Sequence, residues 1–150
     1  MWRVAIVICL WSASALADDL PPELLLKCDM NQKVKTTYVG GENSNEASLQ
    51  QTLRLKSGSL MNVENGGLEG ADCALKDGQV LCKLNRVRPI LDTGRTSKEQ
   101  STVVLSRSTG EISIAFEQWG YEGSQAVGKP TSHLLISRTG ICRSVGKAVF

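Results

Sequence analysis

The chain has 150 residues, with 17 Lys and Arg against 15 Asp and Glu for a formal net charge of +2. So even a balance excludes a nucleic-acid binder built on a basic surface, and nothing in it calls for a polyanionic partner. With 41% hydrophobic residues, the composition is that of a globular domain rather than a disordered segment.

Taken in chain order, residues 1–17 read as a secretory signal. Arg3 supplies a basic start, an apolar run extends from Val4 to Trp11, and Ala15-Leu16-Ala17 offers a small-x-small cleavage site. Cys9 falls inside this signal. The run is too short to span a bilayer, and no later stretch approaches the roughly 18 consecutive apolar residues that a spanning helix needs. Removing the signal leaves 133 residues with 16 basic and 15 acidic side chains, enough for one domain with a core of its own. The expected location is periplasmic or secreted.

Residues 18–27 are expected as a frayed N-terminal leader, in which Pro21-Pro22 discourages helix and Leu24-Leu25-Leu26 can pack on the domain. A single β-domain is expected over 28–150. Its pattern has period two: Val34, Thr36 and Tyr38 alternate with Lys33, Lys35 and Thr37, Leu53 and Leu55 with Arg54 and Lys56, and Ile112, Ile114 and Phe116 with Glu111, Ser113, Ala115 and Glu117. Less regular strands are expected at 60–64, 86–91, 102–106 and 133–137, with Pro89 confining its strand to an edge or a bulge. Hydroxyl-plus-glycine turns are expected at Lys56-Ser57-Gly58-Ser59, Arg107-Ser108-Thr109-Gly110 and Arg138-Thr139-Gly140. Polar loops are expected at 40–48, 93–101 and 118–132, the last holding Trp119 and Tyr121. About seven or eight strands at this spacing predict an all-β antiparallel meander, closing as a small barrel or a sandwich.

The strongest local signal is Cys73-Ala74-Leu75-Lys76-Asp77-Gly78-Gln79-Val80-Leu81-Cys82. Asp-Gly specifies a two-residue type I′ hairpin, which places Lys76 opposite Gln79 and Cys73 opposite Cys82 on a non-hydrogen-bonded pair, where Cα atoms approach to about 4.5 Å. That separation suits a disulfide. Of three possible pairings among Cys28, Cys73, Cys82 and Cys142, the hairpin bond leaves Cys28 with Cys142, tying the first strand to the last.

No assembled catalytic set is visible. The one histidine, His133, precedes the apolar run Leu134-Leu135-Ile136 and reads as structural or solvent-facing. Gly123-Ser124 lacks the rest of a nucleophile elbow, and Ser144-Val145-Gly146-Lys147 with Lys56-Ser57-Gly58 occurs in the wrong order for a Ser-x-x-Lys enzyme. Metal spacing is absent, because the Cys73 to Cys82 interval belongs to the hairpin. Asp18-Asp19 and Glu117 with Glu122 read as solvated loop carboxylates, and Arg86 with Arg88 as a solvated strand face. Trp119-Gly120-Tyr121 is the best recognition candidate, set against a core role in which Trp119 plugs the barrel end.

Cys28 on the first strand, the Cys73 to Cys82 hairpin, Arg107-Ser108-Thr109-Gly110 ending a late strand and Gly140-Ile141-Cys142 near the end form a layout. It resembles small uncharacterised periplasmic β-barrel proteins of Gram-negative bacteria, a likeness that implies location and fold but no activity. A more distant likeness is to periplasmic lysozyme inhibitors of the membrane-bound C-type family, antiparallel barrels that insert a Ser-Gly-x-x-Tyr loop into the enzyme's cleft. In Ser57-Gly58-Ser59-Leu60-Met61 the first two positions match, and Met61 stands where the family has tyrosine.

The leading expectation is a monomeric, non-enzymatic exported module that binds or inhibits a protein or envelope component through its loops. Trp119, Tyr121, Ser57 and Gly58 are the candidate contacts. The alternative is a lipocalin-like barrel holding a small apolar ligand. A hydrolase using His133 with a loop serine ranks last. No cofactor, metal ligand or catalytic residue is expected.

Overall fold

The structure, a computed structural model, describes residues 20–145. The expectations on residues 1–17, on Asp18-Asp19 and on Lys147 lie outside them. Eight antiparallel strands follow in order: β1 (Glu23–Tyr38), β2 (Gly41–Lys56), β3 (Ser59–Asn62), β4 (Ala71–Lys76), β5 (Gln79–Ile90), β6 (Arg95–Ser106), β7 (Glu111–Tyr121) and β8 (Ser132–Ser144). Each pairs with the next, and β1 pairs with β8, so the meander closes as a barrel rather than splitting into a sandwich.

Alternation decides which side chains point in. Leu24, Leu26, Cys28 and Met30 of β1 meet Leu53 and Leu55 of β2, Val80, Cys82 and Leu84 of β5, Val103 and Leu105 of β6, and Ile112 and Ile114 of β7 in one buried core. Outward positions of β1 and β2 carry Lys27, Lys33, Lys35, Glu42 and Glu46. A charged wall around an apolar filling is the inverse of a membrane barrel. Among the described residues no helix is long and apolar enough to cross a membrane.

Both disulfides are formed, and each joins residues directly opposite on neighbouring strands. Cys73 faces Cys82 across a turn whose Asp77 and Gly78 have φ of 51° and 73°, the predicted hairpin and register, with Cα atoms 4.0 Å apart. Cys28 faces Cys142 across the closing seam between β1 and β8, also at 4.0 Å. The same seam explains Gly140, because a Cβ there would run into the Asp29 carbonyl of β1. Arg138-Thr139-Gly140 is therefore strand, not the expected turn.

Three other expectations also give way to strand. Residues 40–48 belong mostly to β2, 93–101 to β6, and β7 continues through Trp119 to Tyr121. The leader is shorter than expected, since β1 starts at Glu23 and its Leu24 and Leu26 are core. Strand β3 ends at Asn62, two residues before the expected limit. Pro89 does lie on an edge, in a stretch of β5 that pairs only with β6.

The strands are unequal, which divides the barrel in two. β3 and β4 have 4 and 6 residues, against 16 in β1 and β2. β2 meets β3 only from Leu53 onward, and β5 meets β4 only as far as Lys83. Beyond that height the wall is a curved sheet ordered β2-β1-β8-β7-β6-β5, whose end strands lack an outer strand partner over residues 41–51 and 84–90 among the described residues. The β3–β4 loop closes the foot of this gap. Its Leu68 enters the core, Glu64 accepts the Thr52 amide of β2 at 2.9 and 3.1 Å, and the Glu69 carbonyl accepts Arg86 Nη1 of β5 at 3.0 Å.

The two disulfides should contribute unequally to stability. In the chain-entropy treatment, a link across 114 residues is worth about 4.7 kcal/mol and one across 9 residues roughly 2.7 kcal/mol. Denaturant titration of the C28S/C142S and C73S/C82S proteins should show the larger loss in the first, and equal losses would refute the ordering.

Candidate functional site

The inward phase of each strand continues past the apolar core, but its residue types change. On β5 the sequence Val80, Cys82, Leu84 leads on to Arg86 and Arg88; on β6, Leu105 and Val103 lead back to Ser101, Glu99 and Ser97; on β8, Cys142 and Gly140 lead back to Arg138, Ile136 and Leu134. Register lines these into rows across the open half. One row runs Asn45, Val34, Ile136, Phe116, Ser101; the next toward the mouth runs Asn43, Thr36, Leu134, Gln118, Glu99, Arg86.

Glu99 anchors the charged end. Its side chain is 1% exposed, yet its oxygens accept Arg86 Nε at 2.5 Å, Arg88 Nη2 at 2.6 Å and Nε at 3.0 Å, and Gln118 Nε2 at 3.2 Å. A buried carboxylate is tolerated because charge-assisted hydrogen bonds surround it. Arg86 and Arg88 thus face inward onto Glu99 rather than lying on an outer face, while both still reach solvent, Arg88 with 54% of its side chain exposed.

Arg138 is held differently. Its Nε donates to Gln32 Oε1 at 2.7 Å and its Nη1 to Gln51 Oε1 at 3.3 Å, both neutral acceptors. Burial pushes its guanidinium below the ordinary arginine value, though the group stays charged at neutral pH. Among these four ionisable groups of the inner face, three are cationic and one is anionic.

The residues expected to form a recognition loop are not brought together. Ser57 and Gly58 form the tight β2–β3 turn, with φ of 51° and 74°, at the closed end. Trp119 and Tyr121 lie at the opposite end of the barrel, on strand β7 rather than a loop. Tyr121 is buried. Trp119 points outward and does not plug the barrel. Its ring stacks on His133 at 5.3 Å, Lys98 Nζ lies 5.7 Å from its ring centre, and the three are cross-strand neighbours on β6, β7 and β8. His133 Nε2 is 3.0 Å from Glu117 Oε2, which places Glu117 on a strand and not in the expected loop. Glu122, just beyond β7, pairs with Arg95 at 3.1 Å. With neighbours along both sides of the indole, this ladder reads as sheet stabilisation.

Other surface features offer less. Depressions of about 460 and 450 Å³ are lined mainly by outward residues such as Glu111 and Thr139, or Asp29 and Gln50. An apolar one of about 220 Å³ at the closed end is lined by Leu24, Leu26 and Leu105. Among the described residues no group of three or more His, Cys, Asp and Glu side chains is placed to hold a metal ion. Compared with known protein families, with curated proteins and with solved structures, the chain gives no significant match.

Sequence reasoning missed Glu99 and Arg138 although a signal was present. Glu99 falls in phase with buried Ser97, Ser101 and Val103, and Arg138 with part-buried Ile136 and Gly140 and buried Cys142.

Two outcomes follow from these contacts. Replacing Glu99 with Gln leaves Arg86 and Arg88 without their counter-charge. Because both arginines reach solvent, the expected loss is about 2 kcal/mol, below the range for a fully buried pair, and denaturant unfolding measures it. Glu64 is held below the usual carboxylate value by its hydrogen bonds from Thr52. Its contribution is present at neutral pH and is lost as pH falls through the carboxylate range to the lowered folded value. Amide exchange at Thr52 should accelerate, beyond the intrinsic pH trend, over that window in the wild type, and E64Q should abolish the pH-dependent part.

Proposed function

We propose that this protein is an exported, non-enzymatic binding module whose binding surface is the inner face of the open half-barrel. The observation that carries the reading is the change of lining at the height where β3 and β4 end. Below it most inward positions are buried; above it Val34, Phe116, Leu134 and Ile136 remain partly exposed beside Arg86, Arg88 and Arg138. A protein that used this sheet only as a scaffold would gain by filling it with apolar residues, since buried charge is costly.

Loop-borne recognition has less to support it. Most connections are tight turns, and residues 63–70 and 122–131 form the long ones. The lipocalin-like alternative takes a modified form: core side chains fill the closed half, so a ligand would lie against the open half, where the lining is charged as well as apolar. Two disulfides, a closed fold and the signal-like residues 1–17 support export. All four cysteines outside that signal are bonded and His133 is engaged with Glu117 and Trp119, which supports a role without catalysis.

Ala47 is exposed on the inner side of β2, away from the closed core, so A47W should obstruct the trough without disturbing the fold. Native mass spectrometry of the freshly purified wild-type protein should show an added small mass that A47W lacks. Retention of the same mass by A47W, or its absence from both proteins, would overturn the inner-face reading.

A further inference from the structure

We propose that Arg138 is the headgroup subsite of this inner face and that its occupant is a single-chain anionic amphiphile, a long-chain carboxylate. The inference rests on the inner-face reading and specifies its ligand. Arg138 points into the barrel with Nε and Nη1 engaged by amide oxygens, while Nη2 has no partner among the described residues. Among the described residues no carboxylate lies within ion-pair distance of it, unlike Arg86 and Arg88, which share Glu99. Gln32 and Gln51 hold the fork in place without neutralising it. A planar guanidinium fixed at two nitrogens and open at the third presents donors to a carboxylate.

The neighbouring row supplies the complementary part. Val34, Ile136 and Phe116 sit side by side on β1, β8 and β7, a half-buried apolar stripe about 10 Å across at ordinary strand spacing. Leu134 flanks it on β8, two residues from Ile136. At the far end of the same row, Ser101 is 4% exposed and its hydroxyl has no hydrogen-bond partner among the described residues. A cation beside an apolar strip fits a ligand with one negative end and a hydrocarbon tail, which separates it from a purely apolar ligand and from a free anion.

The test uses the exported, disulfide-bonded protein, titrated with decanoate and with decan-1-ol while amide and side-chain N–H resonances are followed. Decanoate should shift Gln32, Gln51 and the Val34, Phe116 and Ile136 amides, and bind at least tenfold more tightly than decan-1-ol. R138Q should lose tenfold or more in decanoate affinity. The exposed control R143Q, which removes the same charge from the outer face, should lose less than twofold, and both variants are checked for retained native resonance dispersion. If R138Q proves unfolded, R138K serves instead, and its loss of the bidentate fork should still weaken decanoate several-fold. Equal affinity of wild type and R138Q, with shifts confined to the inner face, would overturn the headgroup assignment while leaving the inner-face reading intact. Silence of the inner face to decanoate would overturn the amphiphile, and shifts produced there instead by a hexaglutamate peptide would replace it with an acidic polypeptide.

Discussion

Two short strands set the character of this barrel. A closed sheet removes its edges only as far as every strand extends, and here β3 and β4 stop while their neighbours continue. Where all eight strands are present, inward side chains meet one another and are mostly apolar, with Asn62 buried among them. Where six remain, cover is uneven: Glu99 and Ser101 are buried while Val34, Leu134 and Ile136 stay partly exposed, and the buried carboxylate is held by charge-assisted hydrogen bonds. The 63–70 loop stands at this boundary, with Leu68 serving the packed side and the Glu69 carbonyl holding Arg86 on the open side.

Covalent closure makes such a division tenable. Cys28–Cys142 links β1 to β8 across the closing seam within the core, and Cys73–Cys82 links the short β4 to β5. The long β1–β2 hairpin continues beyond the core on backbone pairing and on the outward pairs Lys33–Glu46 and Lys35–Glu42. Exposed pairs of this kind contribute a few tenths of a kcal/mol each.

The inner charges are arranged by strand phase. Arg86, Arg88, Glu99 and Arg138 each occupy the position where a buried side chain would be expected if the barrel were closed to its rim. Their retention costs stability, which is the usual mark of a functional surface. The arrangement is asymmetric, with Glu99 neutralising one side and only amides facing Arg138 on the other.

The sequence by itself determined the all-β class, the hairpin turn and the pairing of the cysteines, because these depend on short-range rules: period-two apolar alternation, the positive φ demanded by Asp77-Gly78, and facing positions across a two-residue turn. Those rules fail where a strand has no apolar face. Residues 41–48 are exposed on both faces and 95–101 bury polar side chains, Thr96, Ser97, Glu99 and Ser101, so both carry the signature of loops although backbone pairing makes them strands. Only the tertiary structure decided where β3 and β4 end, and therefore which continuation of an apolar phase becomes a lining. That decision turned Arg86 and Arg88 inward onto a glutamate 11 to 13 residues away, joined Arg138 to Gln32 across 106 residues, and left Trp119 outside, because strand register is a property of partners distant in the chain.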